Sequence, residues 1–580
     1  MLRKRLPRLA LPLLLGAAGC SENSAGPRLP PCTASGFAVN LTIPGQYLSL
    51  DPGPVAGCVV FPANTGVDSA EYLLVPQLAT GEPGIISSFQ LLGDTIRPAT
   101  LASLVPMPEL RAAERFHTFL RLGDQSRWRG LNPQRAPLGP GLVPSPVAPA
   151  AAAGPPVLGS QRQFMVCAKL DCSRFDKVTA TVRALDTTVA IYVDNAAPAG
   201  GLTDADLDGL ATLFYRQLYA TDTAAFGRES DVDSNTVVLV LMTPVLNKLV
   251  TAKECSSTGF VAGFFLGADI DPDFRNDSRS NKGEVFYALV ADPSATLKGP
   301  DGKPTCAHTA TSVKNIVPVT FIHEFQHMIS YGQHVIARGG EAEVLWLNEG
   351  FSHYAEELGG RTYPLGSPEF SRFLSGDVSN AYKYLDAPGS QFLLPAAGPG
   401  NIGTLAERGA AWLFVRYLVD RYSGGTTVAD WNRVTRRLLE TDKTGAANIE
   451  SATGDSFAHI VARWALANWV SDLPGFTADT ALRYNSWSFR ATYSSLHTQS
   501  PTTYPKAYPL TPTSSPGRGV SLSGILHAGS GAYHRALQAP GAAGFTLSLA
   551  TAEFTPLFDT EGGRAIAPRA VPRLNIIRIR

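Results

Sequence analysis

The chain has 580 residues, 44% hydrophobic and 17% charged, and is long enough to bury several cores, so roughly three to four domains are expected. Its 49 Lys and Arg balance 49 Asp and Glu, and the Arg-rich pieces 275–279 and 573–580 are too short to supply a basic field, which argues against nucleic acid as a partner. The 54 Gly and 44 Pro, without any long block of like charge, fit a loop-rich globular protein.

The first residues, Met1 to Arg5, are basic; an apolar stretch from Leu9 to Leu15 and small residues Gly16 to Gly19 follow before Cys20. That order is an export signal. The run Leu15 to Cys20 is similar to a bacterial lipobox, whose Cys is acylated after cleavage, although Ala17 stands where that motif usually has Leu. The expectation is a signal peptide over 1–20 and a mature chain tied to a membrane outside the cytoplasm through a lipid on Cys20, with full secretion as the alternative. Six further cysteines remain, an even number in an exported chain, so disulfides are expected. Their clustering favours neighbours: Cys32 with Cys58, Cys167 with Cys172, Cys255 with Cys306.

Residues 21–31 read as a tether, and short apolar runs broken by Gly, Pro and Asn make 32–125 an N-terminal β domain. The Pro, Ala and Gly of 126–160 cannot bury enough apolar surface to fold alone and read as a linker. A central domain follows over 161–475, sheet first and helices later. Val189 to Val193 alternates as a strand, Thr203 to Asp206 opens a helix with a capping-box pattern, and Val237 to Leu241 and Val285 to Val290 are apolar enough to lie inside a sheet. Helices are expected over 318–331, with Pro318 in the first turn, then over 349–358, capped by Asn348, and over 404–422, 430–439 and 456–473. Alternating runs from Pro474 onward make 476–580 a C-terminal β domain, so the fold class is α+β and multidomain.

The chemistry concentrates in Phe321 to Ser330, which contains His323, Glu324 and His327 in the pattern His-Glu-x-x-His. On a helix the i, i+4 spacing brings both imidazoles to one face, as two ligands of one zinc ion require. Glu324 then stands beside the metal, where its carboxylate can take a proton from bound water. Val319, Phe321, Ile322, Phe325, Met328 and Ile329 bury the rest of the helix, an environment costly for two His and a Glu unless a partner satisfies them. Downstream, Trp346-Leu-Asn-Glu-Gly-Phe351 puts Glu349 at the start of a second helix, where it can complete a His2Glu set.

Such a helix followed by a Trp-Leu-Asn-Glu-Gly-Phe segment resembles the gluzincin metallopeptidases, and His-Glu-Phe-Gln-His-Met together with Trp-Leu-Asn-Glu-Gly resembles the hyicolysin-like neutral metallopeptidases. The resemblance covers roughly residues 189–472 and implies a zincin-like catalytic domain, Zn2+ on His323, His327 and Glu349, and Glu324 as catalytic acid/base. Protein or peptide is the implied substrate. In two respects the chain departs from relatives: 21 residues separate His327 from Glu349, and the Gly-x-Met-Glu-Asn segment that holds a free amino group in aminopeptidases is absent. Endopeptidase action is therefore preferred. The alternative is a surface-anchored binding lipoprotein with a catalytically inactive zincin domain.

Gluzincins also stabilise the oxyanion of the tetrahedral intermediate through a Tyr or His; the candidates here are Tyr382, Tyr384, Tyr417 and His353. His353 shares a helix face with Glu349 and is equally a candidate for orienting a ligand. Asp231, Asp233 and Asn235 offer three oxygens at the alternate spacing of a calcium loop, but Thr236 replaces the turn Gly; Ca2+ there is the weaker reading beside a polar turn before a strand.

Overall fold

The computed structural model describes residues 36–51, 57–94, 111–128, 154–396, 403–553 and 571–580. Cys20, the tether, Cys32 and most of the linker lie outside the described residues. None of the described helices is long and apolar enough to cross a membrane.

The described strands form three sheets in a mixed α+β architecture. Two of these correct the expected pair of flanking β domains, because each draws strands from both ends of the chain. One runs in the order Phe37–Ala38, Cys58–Phe61, Phe545–Glu553, Ile86–Gly93, Ser521–His527; the other runs Thr513–Pro516, His534–Gln538, Ala70–Leu78, Pro572–Arg578, Tyr47–Leu50. Burial supplies the reason. All nine residues of Ala70–Leu78 are buried, so that strand needs pairing on both edges, and it finds both partners in the C-terminal segment. The sheets meet where Phe61 packs edge-on to Tyr72 and stacks on Phe545. Gln77 donates to the Val461 carbonyl and Tyr533 to that of Ala465, tying this body to helix Phe457–Val470.

The third sheet, in the order Gly263–Phe265, Val285–Ala288, Val238–Met242, Val189–Asp194, Phe175–Leu185, Gln161–Cys167, carries the site. Val238–Met242 is parallel to both neighbours and wholly buried, as its unbroken apolar run predicts. Helix Ala310–Tyr331 lies on this sheet through Phe321 against Phe286, and its Phe325 packs against Phe214 of the helical segment Phe214–Leu218. It starts earlier than expected. Thr309 caps it by accepting from Ser312 N–H at 3.1 Å, and Pro318 stands in its interior; burial of Val313 and Val317 offsets the hydrogen bond that proline removes.

Helix Leu345–Gly360 is buried along its whole length, between the motif helix and helices Pro368–Asp386 and Leu405–Tyr422. Glycine lets these helices pack closely on one another. A Cβ on Gly409 would lie 2.3 Å from the Asn380 carbonyl carbon, and one on Gly350 would lie 3.0 Å from Val415 Cγ2. Arg416, donating to Glu357 at 2.9 Å, and Trp412, donating to the other oxygen of Glu357 at 3.0 Å, fasten the two helices together. The capping box at Thr404 and Glu407 is formed as expected.

Cys167 is bonded to Cys172 and Cys255 to Cys306; Cys58 is disulfide-bonded as well, its expected partner Cys32 lying outside the described residues. The second bridge closes a sequence separation of 51. Loop closure of that size stabilises by about 4 kcal/mol. Replacing Cys255 and Cys306 together by Ser is expected to lower the unfolding free energy by about that amount in a denaturant titration, and an unchanged midpoint contradicts it.

Asp222, in helix Tyr219–Phe226, is buried with neither carboxylate oxygen hydrogen-bonded, and burial pushes its carboxyl well above the ordinary value. A carboxyl raised by folding contributes its stability below the unfolded pKa, and that contribution is lost as pH rises toward the folded pKa. Asp222→Asn, uncharged throughout, should therefore gain melting temperature over the wild type as pH rises above about 4, the ordinary carboxyl range. A gap that stays constant with pH contradicts this.

Candidate metal centre

The two motif histidines come together as their spacing requires. His323 Nε2 and His327 Nε2 are 3.1 Å apart, and Glu349 places one oxygen 3.7 Å from the first and the other 3.8 Å from the second. Zinc held at about 2.0–2.1 Å spaces tetrahedral ligands about 3.3 Å apart, so the three separations bracket the value expected for one ion. The donor set fits on other grounds. Two neutral imidazole nitrogens facing each other at 3.1 Å repel unless a proton or cation lies between them, and neither oxygen of buried Glu349 accepts a hydrogen bond.

Burial, with Arg121 and His323 nearby, pushes His327 well below its ordinary pKa and keeps it neutral, as a ligand must be. Both rings are oriented from behind. His323 Nδ1 is 2.6 Å from Glu356 Oε1, and His327 Nδ1 donates to Asn348 Oδ1, with Ser352 Oγ 3.0 Å from the same nitrogen. Asn348 therefore does not cap the helix: it lies inside Leu345–Gly360, where its amide fixes the His327 tautomer and leaves Nε2 free for a metal.

His353 sits behind His323, its ring centroid 5.0 Å away and its Nδ1 3.1 Å from Glu356 and 2.8 Å from Asp377. Burial pushes the Asp377 carboxyl well above its ordinary value, whereas for the other two the facing groups outweigh burial, holding His353 up at about 10 and Glu356 down at about 2. His353 thus acts through Glu356 on the His323 ring. Replacing Glu356 by Gln is expected to weaken zinc binding about 10–100-fold in a competition titration, and equal affinity contradicts the role.

Glu324 is buried and accepts from Phe265 N–H at 2.9 Å; burial raises its carboxyl, partly offset by His323 and Arg121. Arg408, from helix Leu405–Tyr422, reaches Glu349 at 3.2 Å, while its Nε and Nη2 are buried without a hydrogen-bond partner. Burial would raise Glu349, yet Arg408 and the surrounding histidines hold it down at about 2.

The tyrosines proposed for the oxyanion are engaged elsewhere. Tyr382 bonds the Lys506 backbone, Tyr384 meets Ser530 and Tyr417 donates to the Ala481 carbonyl. The calcium candidate also changes. Asn235 spends its oxygen on Val237 N–H and its amide on Asp233, as in a polar turn, and the carboxylates within 4.8 Å of one another are those of Asp231, Asp233 and Glu284.

Five residues at the centre lay outside the sequence-based expectation: Asn348 as an orienting group, Glu356, Arg408, His117 and Arg121. Only Glu356 left a readable signal, because Glu349, His353 and Glu356 fall at i, i+4 and i+7 on one helix face. Neither family models nor curated protein sequences yield a match to this chain.

Proposed function

We propose that the chain is an exported zinc endopeptidase, held at a membrane through a lipid on Cys20, that hydrolyses peptide bonds of proteins with Glu324 as general base. The observation that supports this best is the convergence of His323, His327 and Glu349 beside a buried second carboxylate, Glu324, in agreement with the gluzincin resemblance. Those three residues would hold the ion. Zinc so held polarises a carbonyl and lowers the pKa of a water toward about 7. The remaining work falls to the chain itself. Glu324, restrained by Phe265 N–H, takes the proton from water as a carboxylate and delivers it to the leaving nitrogen; its raised carboxyl suits the return step. Glu356 and Asn348 keep the imidazoles aimed. Arg408, beside Glu349 and with its Nε and Nη2 unpartnered, takes in this reading the part of stabilising the oxygen that gains negative charge, for which Tyr382, Tyr384 and Tyr417 were candidates.

Chelation tests this reading. Casein and a broad peptide library should be cleaved by the zinc-loaded chain, not after metal removal, and again once zinc is returned. Cleavage that survives chelation would sink the proposal.

A further inference from the structure

We infer that helix Ala112–Gln125 is a built-in occupant of the metal-site cleft, with His117 as an exchangeable additional ligand of the ion. This rests on the peptidase reading of the site. The helix lies within the segment 32–125 expected to be a β domain, yet it packs on the edge strand and turn Phe264 to Gly267 and brings His117 to the motif residues. One ring nitrogen of His117, one of His323 and one carboxylate oxygen of Glu324 lie within 4.8 Å of one another. The His117 and His323 rings are 6.2 Å apart, edge to face. His117 Nδ1 is buried without a hydrogen-bond partner, an unusual state for an imidazole unless something else takes its lone pair.

The space between His323 and Glu324 is where a water and a scissile carbonyl must sit for Glu324 to act. An imidazole nitrogen within 4.8 Å of both crowds that space. One turn further, Arg121 Nη2 donates to the Phe265 carbonyl at 2.7 Å while Glu324 takes the Phe265 N–H. Phe265 is on the edge strand of the sheet, so the backbone groups that could pair with an extended peptide beside Glu324 are already used. The helix is latched at both ends of this contact. Phe116 packs edge-on to Phe264, Asp124 accepts from Gly267 N–H at 3.1 Å, and Arg127 grips Asp271 at 3.0 and 3.2 Å. A substrate therefore has to displace the helix, and the chain as described is the latent state.

Cobalt(II), which occupies zinc sites and reports its ligands by visible absorption, tests the assignment in the full chain. His117→Ala is expected to shift the absorption of the cobalt protein, added imidazole to shift it back, and the zinc form of the same variant to cleave peptides severalfold faster than wild type. The position is half-buried and helical, where Ala is well tolerated. Bound cobalt with an absorption that neither His117→Ala nor imidazole moves overturns the inference and leaves the peptidase reading standing. A wild-type chain that binds no cobalt, or binds it equally well as His327→Ala, overturns both.

Discussion

Glu324→Gln is expected to lower kcat for the proposed peptide cleavage by about 10²–10⁴-fold, the usual worth of a positioned general base, with zinc still bound. The amide oxygen of glutamine can still accept from Phe265 N–H, so the side chain keeps its place and only its capacity to carry a proton is lost. KM should change little, since Glu324 is assigned to the reacting water and leaving group rather than to holding the substrate. Steady-state kinetics on one fluorogenic peptide, with zinc measured on the same sample, separates this from a damaged metal site. A variant that keeps its kcat removes Glu324 from the mechanism.

Glu349→Ala is expected to have a double effect, because the carboxylate is the proposed third zinc ligand and also the partner of buried Arg408. The first consequence is loss of zinc and of cleavage together. The second is visible without metal. Removing one member of a buried ion pair strands the other charge and costs about 3–5 kcal/mol. Denaturant unfolding of the metal-free variant against metal-free wild type should show that loss, and a variant that retains zinc and full stability contradicts both assignments.

What could be read from residues alone follows the range of the interactions involved. His323, Glu324 and His327 are legible because helix geometry converts a spacing of four residues into one face, and Glu349 because its helix announces itself nearby. The interior strand Val238–Met242 is legible because double-sided burial leaves an unbroken apolar run. Pairing across the chain is not. Nothing local in Ala70–Leu78 shows that its neighbours are His534–Gln538 and Pro572–Arg578, so two β domains were expected where strands from both ends share sheets. Arg408 is similarly hidden, since its position depends on Gly409 letting one helix close on the backbone of another. His117 carries no motif, and its meaning arises only from where its helix lies. Asn348 shows the reverse: a good capping residue stands inside a helix that already starts at Leu345, and its side-chain oxygen takes the His327 ring N–H instead.

The central claim is tested most directly by cleavage of a broad peptide library with the zinc-loaded chain and with its Glu324→Ala variant, each also carrying His117→Ala in a parallel sample. The account predicts cleavage that depends on Glu324 in both backgrounds and is faster when His117 is replaced. Equal rates with and without Glu324, or no cleavage by either zinc-loaded chain that retains it, would contradict the account.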